Sequence, residues 1–157
     1  MLVDILFLKT LISTMRFPLI VLLFVLSAPV NADMPVRQLE VDGHPIIVEV
    51  AHTDAARENG LMHRESLAEN HGMLFVFTEA ERHGMWMMNT SIPLSVAFLD
   101  KDGIILNISD MMPYTVTPHR SVGPAKYALE VNLGWFRKRN VKSGSRITGL
   151  KKVPGAE

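Results

Sequence analysis

Residues 33–157 predict one compact, mainly β domain (β-rich α+β), a barrel or sandwich of seven or eight strands with two or three short helices. Three observations carry that expectation. Apolar and polar residues alternate with period two over several short stretches, as in strands with one buried face. Asp-Gly pairs at 42–43 and 102–103 stand between such stretches, where hairpins turn. No repeat, low-complexity tract or Pro/Ser-rich linker interrupts 36–152, and the 157-residue chain has no Cys, so a core must hold it together. A domain of this size can withdraw roughly two-thirds of its unfolded surface from water, which is enough.

The elements follow in order. Leu39 and Val41 alternate with Gln38, Glu40 and Asp42, and beyond the Asp42-Gly43 turn Ile46, Val48 and Val50 continue the pattern as a hairpin. Thr53 or Asp54 caps a short helix through Ala55, Ala56 and Arg57, with Gly60 as its stop, and Ser66 to Asn70 offers a further helical turn. Gly72 to Phe77 is apolar on both faces, so its strand is central. Met85 to Asn89 and Ile92 to Leu99 extend the strand-like run as far as the Asp100–Gly103 turn, after which Ile104, Leu106 and Ile108 alternate with their neighbours. Pro113, Pro118 and Pro124 make 111–124 an irregular loop. Tyr127, Leu129 and Val131 then face one way and Ala128, Glu130 and Asn132 the other. A helix starting near Gly134 carries Trp135 and Phe136, and Arg146 to Leu150 form a last strand. Met73, Phe75, Phe77, Val96, Phe98, Leu106 and Leu129 are the expected core.

The first 32 residues are a different object, with 22 of them apolar. The ten-residue run Phe17 to Leu26 follows Arg16 and leads to Val30-Asn31-Ala32, a small-residue end of the A-x-A kind. This reads as a secretory signal peptide over residues 1–32, cleaved near Ala32, which makes the protein periplasmic or secreted. Two alternatives stand beside it: a retained leader acting as an anchor, and a start at Met15 rather than Met1. The apolar run itself is shorter than the roughly 20 residues a membrane span needs.

Without the leader's Lys9, Arg16 and Asp4 the chain keeps 14 bases against 15 acids, a balance that disfavours nucleic acid as a partner. The charge is unevenly placed, with 7 bases and 14 acids over 33–130 and 7 bases and 1 acid over 131–157. Arg137, Lys138, Arg139 and Lys142 are either a solvated helix face or a contact for an anionic membrane surface. The absence of Cys excludes disulfide scaffolds, thiol catalysis and Cys-ligated metals.

Five stretches point further: Gly60-Leu61-Met62-His63-Arg64, Gly72-Met73-Leu74-Phe75-Val76-Phe77, Trp86-Met87-Met88-Asn89-Thr90, Ile92-Pro93-Leu94 and Leu129-Glu130-Val131-Asn132-Leu133-Gly134-Trp135. In these, over residues 36–152, the chain resembles the domain-of-unknown-function family 192, small prokaryotic proteins often preceded by a signal peptide. The resemblance implies a compact β-rich barrel or sandwich with short helices and no established activity. Ser95 departs from it, standing where many members place Asp after Pro-Leu.

Polar residues inside these apolar stretches are the candidate site. Glu130, set on a strand between Leu129 and Val131, must be exposed or paired, because a buried unpaired charge is costly, and Arg64 is the candidate partner. Arg64 and Glu130 thus form either a structural pair or part of a site. Trp86, Asn89, Thr90, Asn132 and Trp135 are the candidate ligand-binding set, suited to a small polar ligand, a glycan or a peptide. Met62, Met73, Met85, Met87, Met88, Met111 and Met112, with His63, His71, His83 and His119, invite a periplasmic copper-binding alternative. Met at strand spacing among aromatics is equally core filling, no His pair has ligand spacing, and neither metal nor cofactor is expected. A triad of Ser91 or Ser121 with His119 and Asp110 lacks a Gly-x-Ser-x-Gly elbow. The reading is therefore an exported cell-envelope binding or accessory protein, with a hydrolase of envelope or extracellular polymers as the alternative class.

Overall fold

The alternating apolar residues of 39–50 form the hairpin β1 (Val36–Val41) and β2 (His44–Ala51) in the computed structural model, which describes residues 34–157. The leader, its cleavage point and the alternative start lie outside the described residues. After β2, Thr53 caps α1 (Asp54–Asn59) by accepting from the Ala56 amide, and Gly60, at φ 47°, ends it. Ser66 to Asn70 forms no helix. Its backbone is committed elsewhere, with the Leu67 and Ala68 carbonyls accepting from Asn132 Nδ2 and the Asn70 carbonyl accepting from Ile47.

β3 (His71–Glu81) returns parallel to β2 and lies centrally, between β2 and β8 (Ala125–Asn132). β4 (Gly84–Met85) pairs only with β7 (His119–Arg120), in a small second sheet. β5 (Leu94–Leu99) and β6 (Ile105–Met111) complete a curled sheet of seven strands, order β6-β5-β8-β3-β2-β1-β9, a half-barrel. β9 (Ile147–Thr148) is one edge, and an isolated bridge from Arg146 to Ile104 ties it to the start of the other. The chain between β8 and β9 carries the one-turn helix α2 (Trp135–Lys138), and a 3₁₀ turn, Leu150–Lys152, follows β9. The expected last strand thus shrinks to Ile147–Thr148, and Trp86 to Pro93 is a loop rather than a strand. Among the described residues no helix is long and apolar enough to cross a membrane.

Period two divides the central strands between two cores. Leu74, Val76, Leu129 and Val131 face the concave side, where Trp135, Phe136 and Val141 plug the half-barrel. Met73, Phe75, Phe77, Val96, Phe98 and Ala128 face the other side, which is covered by Leu61, Met87, Ile92 and Met111 from outside the central strands. Leu106 is only partly buried against this second core. Glu130 falls on the second face for the same geometric reason as Ala128, and this placement builds the site.

Candidate functional site

Glu130 pairs in register with Met73 on one side and Val96 on the other, both fully buried. Gly72 lets β8 approach, since a Cβ there would lie 2.5 Å from the Glu130 carbonyl oxygen. The result is a carboxyl only 3% exposed, with no side-chain hydrogen bond to a described residue. Burial pushes its pKa from 4.5 up to about 8, so at neutral pH it is a carboxylic acid able both to donate and to accept.

Glu130 faces a chamber of about 30 Å³, room for one or two waters or the head of a small polar group. Gly60, Leu61 and Met62 form one wall, Phe75 of β3 a second, and Met85, Trp86 and Thr90 a third. The chamber shares Arg57, Glu58, Met62, Phe75, Met85 and Trp86 with an outer cleft of about 670 Å³ that extends along Phe77, His83 and Met88. Trp86 is 52% exposed, unusual for the largest apolar side chain, and Met88 is exposed beside it. The Met87 amide donates to the Thr115 carbonyl at 2.8 Å and the Tyr114 amide to the Thr90 carbonyl at 3.2 Å. These bonds bring the exposed Met112, Tyr114 and Val116 alongside, an apolar rim of the kind that marks interaction surfaces.

The walls are fixed by local chemistry. Gly60 sits where a Cβ would meet the Phe75 ring at 3.3 Å, and its positive φ suits glycine. Asn89 takes the left-handed region at φ 54°, which Asn tolerates, and its carbonyl accepts from His63 at 2.9 Å. Ser91 Oγ donates to the Arg64 carbonyl at 2.9 Å, locking the same two loops together. Thr90, 4% exposed, donates its hydroxyl to the Met88 carbonyl at 3.2 Å, leaving its oxygen free to accept.

A family model described as "Uncharacterized ACR", domain-of-unknown-function family 192, matches residues 37–149. The chain belongs to that family. A crystal structure from Sinorhizobium meliloti 1021, described as a "putative transcription regulator", is similar at 35% identity and a TM-score of 0.70, covering 73% of this chain and 94% of that one. A protein of unknown function from Novosphingobium aromaticivorans DSM 12444 is similar at 31% identity and a TM-score of 0.70, over 76% and 89% of the two chains. Among curated proteins none matches. Four of the five stretches that carry the family likeness contribute to the Glu130 chamber, through Gly60-Leu61-Met62, Phe75, Trp86 with Thr90, and Glu130.

The remaining expected site residues lie elsewhere. Arg64 does not meet Glu130; its guanidinium bonds the Glu49 carboxylate at 2.6 Å on a part-exposed surface, because the chain between β2 and the parallel β3 carries it over β2. Trp135 is 2% exposed in the concave core, edge-on to Phe136 and His44, with Nε1 donating to Asn70. Asn132 ties β8 to the loop carbonyls of Leu67 and Ala68. Asn89 borders the cleft through a weak contact of Nδ2 with Met62 Sδ at 3.9 Å. No triad is assembled: Asp110 bonds Ser95 and Arg137, Ser91 bonds the Arg64 carbonyl, and Ser121 accepts from the His83 amide. Of the basic set, Arg137 pairs with Asp110 at 3.0 Å, while Arg139 stacks on Trp135 and donates to Asn70. Among the described residues no three His, Asp or Glu side chains group to hold a metal, and Met73, Met87 and Met111 are fully buried filling.

Sequence reasoning did not place Met62, Met85, Met88 and Phe77 in a cleft. Met in an apolar run looks the same whether it fills a core or lines a groove.

Proposed function

We propose that the protein is an exported binding or accessory protein that holds an extended peptide segment in the Trp86 cleft, with Glu130 in the small chamber that adjoins it. The observation that carries this reading is the meeting of four family stretches at one small chamber whose buried acid has no partner among the described residues. Stability alone favours an apolar residue over an unpaired buried acid, so a ligand-facing role accounts for its presence. Met and aromatic walls suit varied apolar side chains, since Met repacks readily and Trp offers a large rigid surface. Export rests on the leader, and sequencing the N-terminus of protein from the periplasm or medium should find Asp33; intact Met1 or Met15 in cytosolic material would end that part of the proposal. Nucleic acid is a poor fit to a domain with 14 bases against 15 acids.

The two tryptophans make binding measurable. Acetylated peptides of mixed sequence, with chito- and malto-oligosaccharides as the second arm, should shift the emission of Trp86 and leave that of Trp135 unmoved. Trp86→Phe should abolish the response. Silence towards every peptide would sink the reading, and a response to oligosaccharides alone would replace peptide with glycan.

A hydrolase is the second reading, favoured by one observation: an acid held neutral at pH 7 is the form a general acid requires. Loss of an envelope-degrading activity in Glu130→Gln, with binding intact, would establish it.

A further inference from the structure

The Glu130 chamber has a definite hydrogen-bonding demand, and that demand selects a chemical group. We propose that it recognises the primary carboxamide of a Gln or Asn side chain in the bound peptide, an inference that rests on the peptide reading above. Glu130, buried and without a partner among the described residues, offers one O–H donor and one carbonyl acceptor side by side. Thr90 spends its hydrogen on the Met88 carbonyl and offers only an acceptor. Of the other polar residues in the lining, Arg57 spends its guanidinium on Asp54 and on the His52, Val76 and Glu157 carbonyls, and Glu58 and Asn59 are exposed. The group that complements the two buried side chains must therefore carry one acceptor and two donors within about 30 Å³. A primary carboxamide does so: its oxygen accepts from Glu130, the N–H on the same side donates back to close a cyclic pair, and the second N–H points away to Thr90.

Other groups that a bound peptide can offer leave something unmet. A carboxylate brings no donor, and a hydroxyl brings only one. Ammonium and guanidinium bring no acceptor. A trans backbone amide carries its N–H and C=O on opposite sides and cannot close the ring. Sites built to satisfy a polar group reject analogues lacking it strongly, because their own buried groups are then left unpaired.

The test uses N-acetyl tripeptide methylamides Leu-Xaa-Leu, in which the central residue is Gln, Met, Glu or Lys and no other primary carboxamide is present. Binding is read by Trp86 emission on the full mature domain below neutral pH. The Gln peptide should bind on the order of tenfold more tightly than the Met peptide, equivalent to about 1.4 kcal/mol, with Glu and Lys no better than Met. Glu130→Leu should remove the preference and keep the common affinity, and Glu130→Gln, which can still form a cyclic amide pair, should retain it. Thermal unfolding confirms that both variants are folded. Equal binding of the Gln and Met peptides, with Trp86→Ala weakening both, would overturn the carboxamide inference and leave the cleft reading standing. Tighter binding of the Lys peptide would replace the neutral pair with an ion pair and overturn it as well. If no peptide binds, both fall together.

Discussion

Two clefts of similar size, about 670 and 770 Å³, lead to two carboxyl groups under opposite conditions: Asp110 lines the larger, and Glu130 lies in the small chamber that shares walls with the other. In the larger, Asp110 accepts from Ser95 and from Arg137, and Ser95 in turn accepts from the Gly134 amide at 2.9 Å. The Ser95 hydrogen bond, with Arg137's hydrogen bond and charge, outweighs desolvation and holds the Asp110 carboxyl below its usual range. That network closes on the protein itself and joins β5 and β6 to the start of α2. Glu130 has no such partner among the described residues, and burial drives its pKa the other way. A polar group satisfied internally explains structure, whereas one left open in a chamber beside an accessible cleft calls for something from outside. Ser95 itself falls within the closed network, where the hydroxyl has both of its bonds within the protein.

The largest expected effect tests the open carboxyl. Between pH 4.5 and about 8 the folded protein holds a proton on Glu130 that the unfolded chain has released. The folded state binds more protons, so stability must fall as pH rises. The contribution is whole below the ordinary Glu value and is lost progressively up to pH about 8, amounting to about 5 kcal/mol at 1.36 kcal/mol per pKa unit. Urea unfolding across that range should show Glu130→Gln gaining on wild type steadily with pH. Parallel curves would mean that Glu130 is paired or solvated and that the two carboxyls are alike after all.

Next comes the wall that makes the chamber. Phe75 is 2% exposed and lines both the chamber and the outer cleft. Phe75→Ala should cost about 3–5 kcal/mol by denaturant unfolding, the usual range for emptying a buried aromatic site. It should also join chamber to cleft and erase any discrimination between peptides. A loss below about 1 kcal/mol, typical of surface positions, would show that the second core is not closed around Glu130.

Much of this contrast was legible in the sequence. Alternation in 127–132 placed Leu129 and Val131 on one face and Glu130 on the other, and the two-sided apolar run of 72–77 marked β3 as central. The cost of an acid between Leu129 and Val131 singled Glu130 out. Its environment was not legible, because Arg64 reaches Glu49 through the parallel register of β2 and β3, a pairing between distant segments that local pattern does not encode. Trp135 was misplaced for a related reason: Gly134 at φ 76° turns the chain so that the ring packs into the concave core rather than towards the Trp86 cleft. The loop from Trp86 to Pro93 imitates a strand in composition, and only its bonds to Thr115 and Tyr114 distinguish it. Arg57, Gly60 and Thr90 come together at Glu130 solely through the fold.

The smallest effects concern the two arginines, and they decide whether the closed side of the comparison depends on charge at all. Arg64 and Glu49 are partly exposed, at 38% and 29%, while Arg137 is exposed at 75% beside Asp110. Water screens such pairs and ordering two long side chains opposes them, so exposed pairs contribute about 0.2–1 kcal/mol. Arg64→Ala and Glu49→Ala should each cost about 1 kcal/mol or less, not the loss that follows from stranding a buried charge. Arg137→Ala should cost less still, since Ser95 remains to hold Asp110 and provides the largest share of its pKa depression. The sign of the pH response separates the two clefts. Asp110, with its carboxyl depressed, contributes stability that is present above the ordinary carboxylate range and lost as pH falls through its folded value, opposite in direction to Glu130. Ser95→Ala should therefore weaken the domain's resistance to acid more than Arg137→Ala does, while neither alters the loss of stability towards pH 8 that Glu130 imposes. If Arg137→Ala proved the more damaging, the closed cleft would be held by its ion pair rather than by the buried hydroxyl. The basic surface around Arg137 would then be committed to structure, with less of it free to meet an anionic membrane.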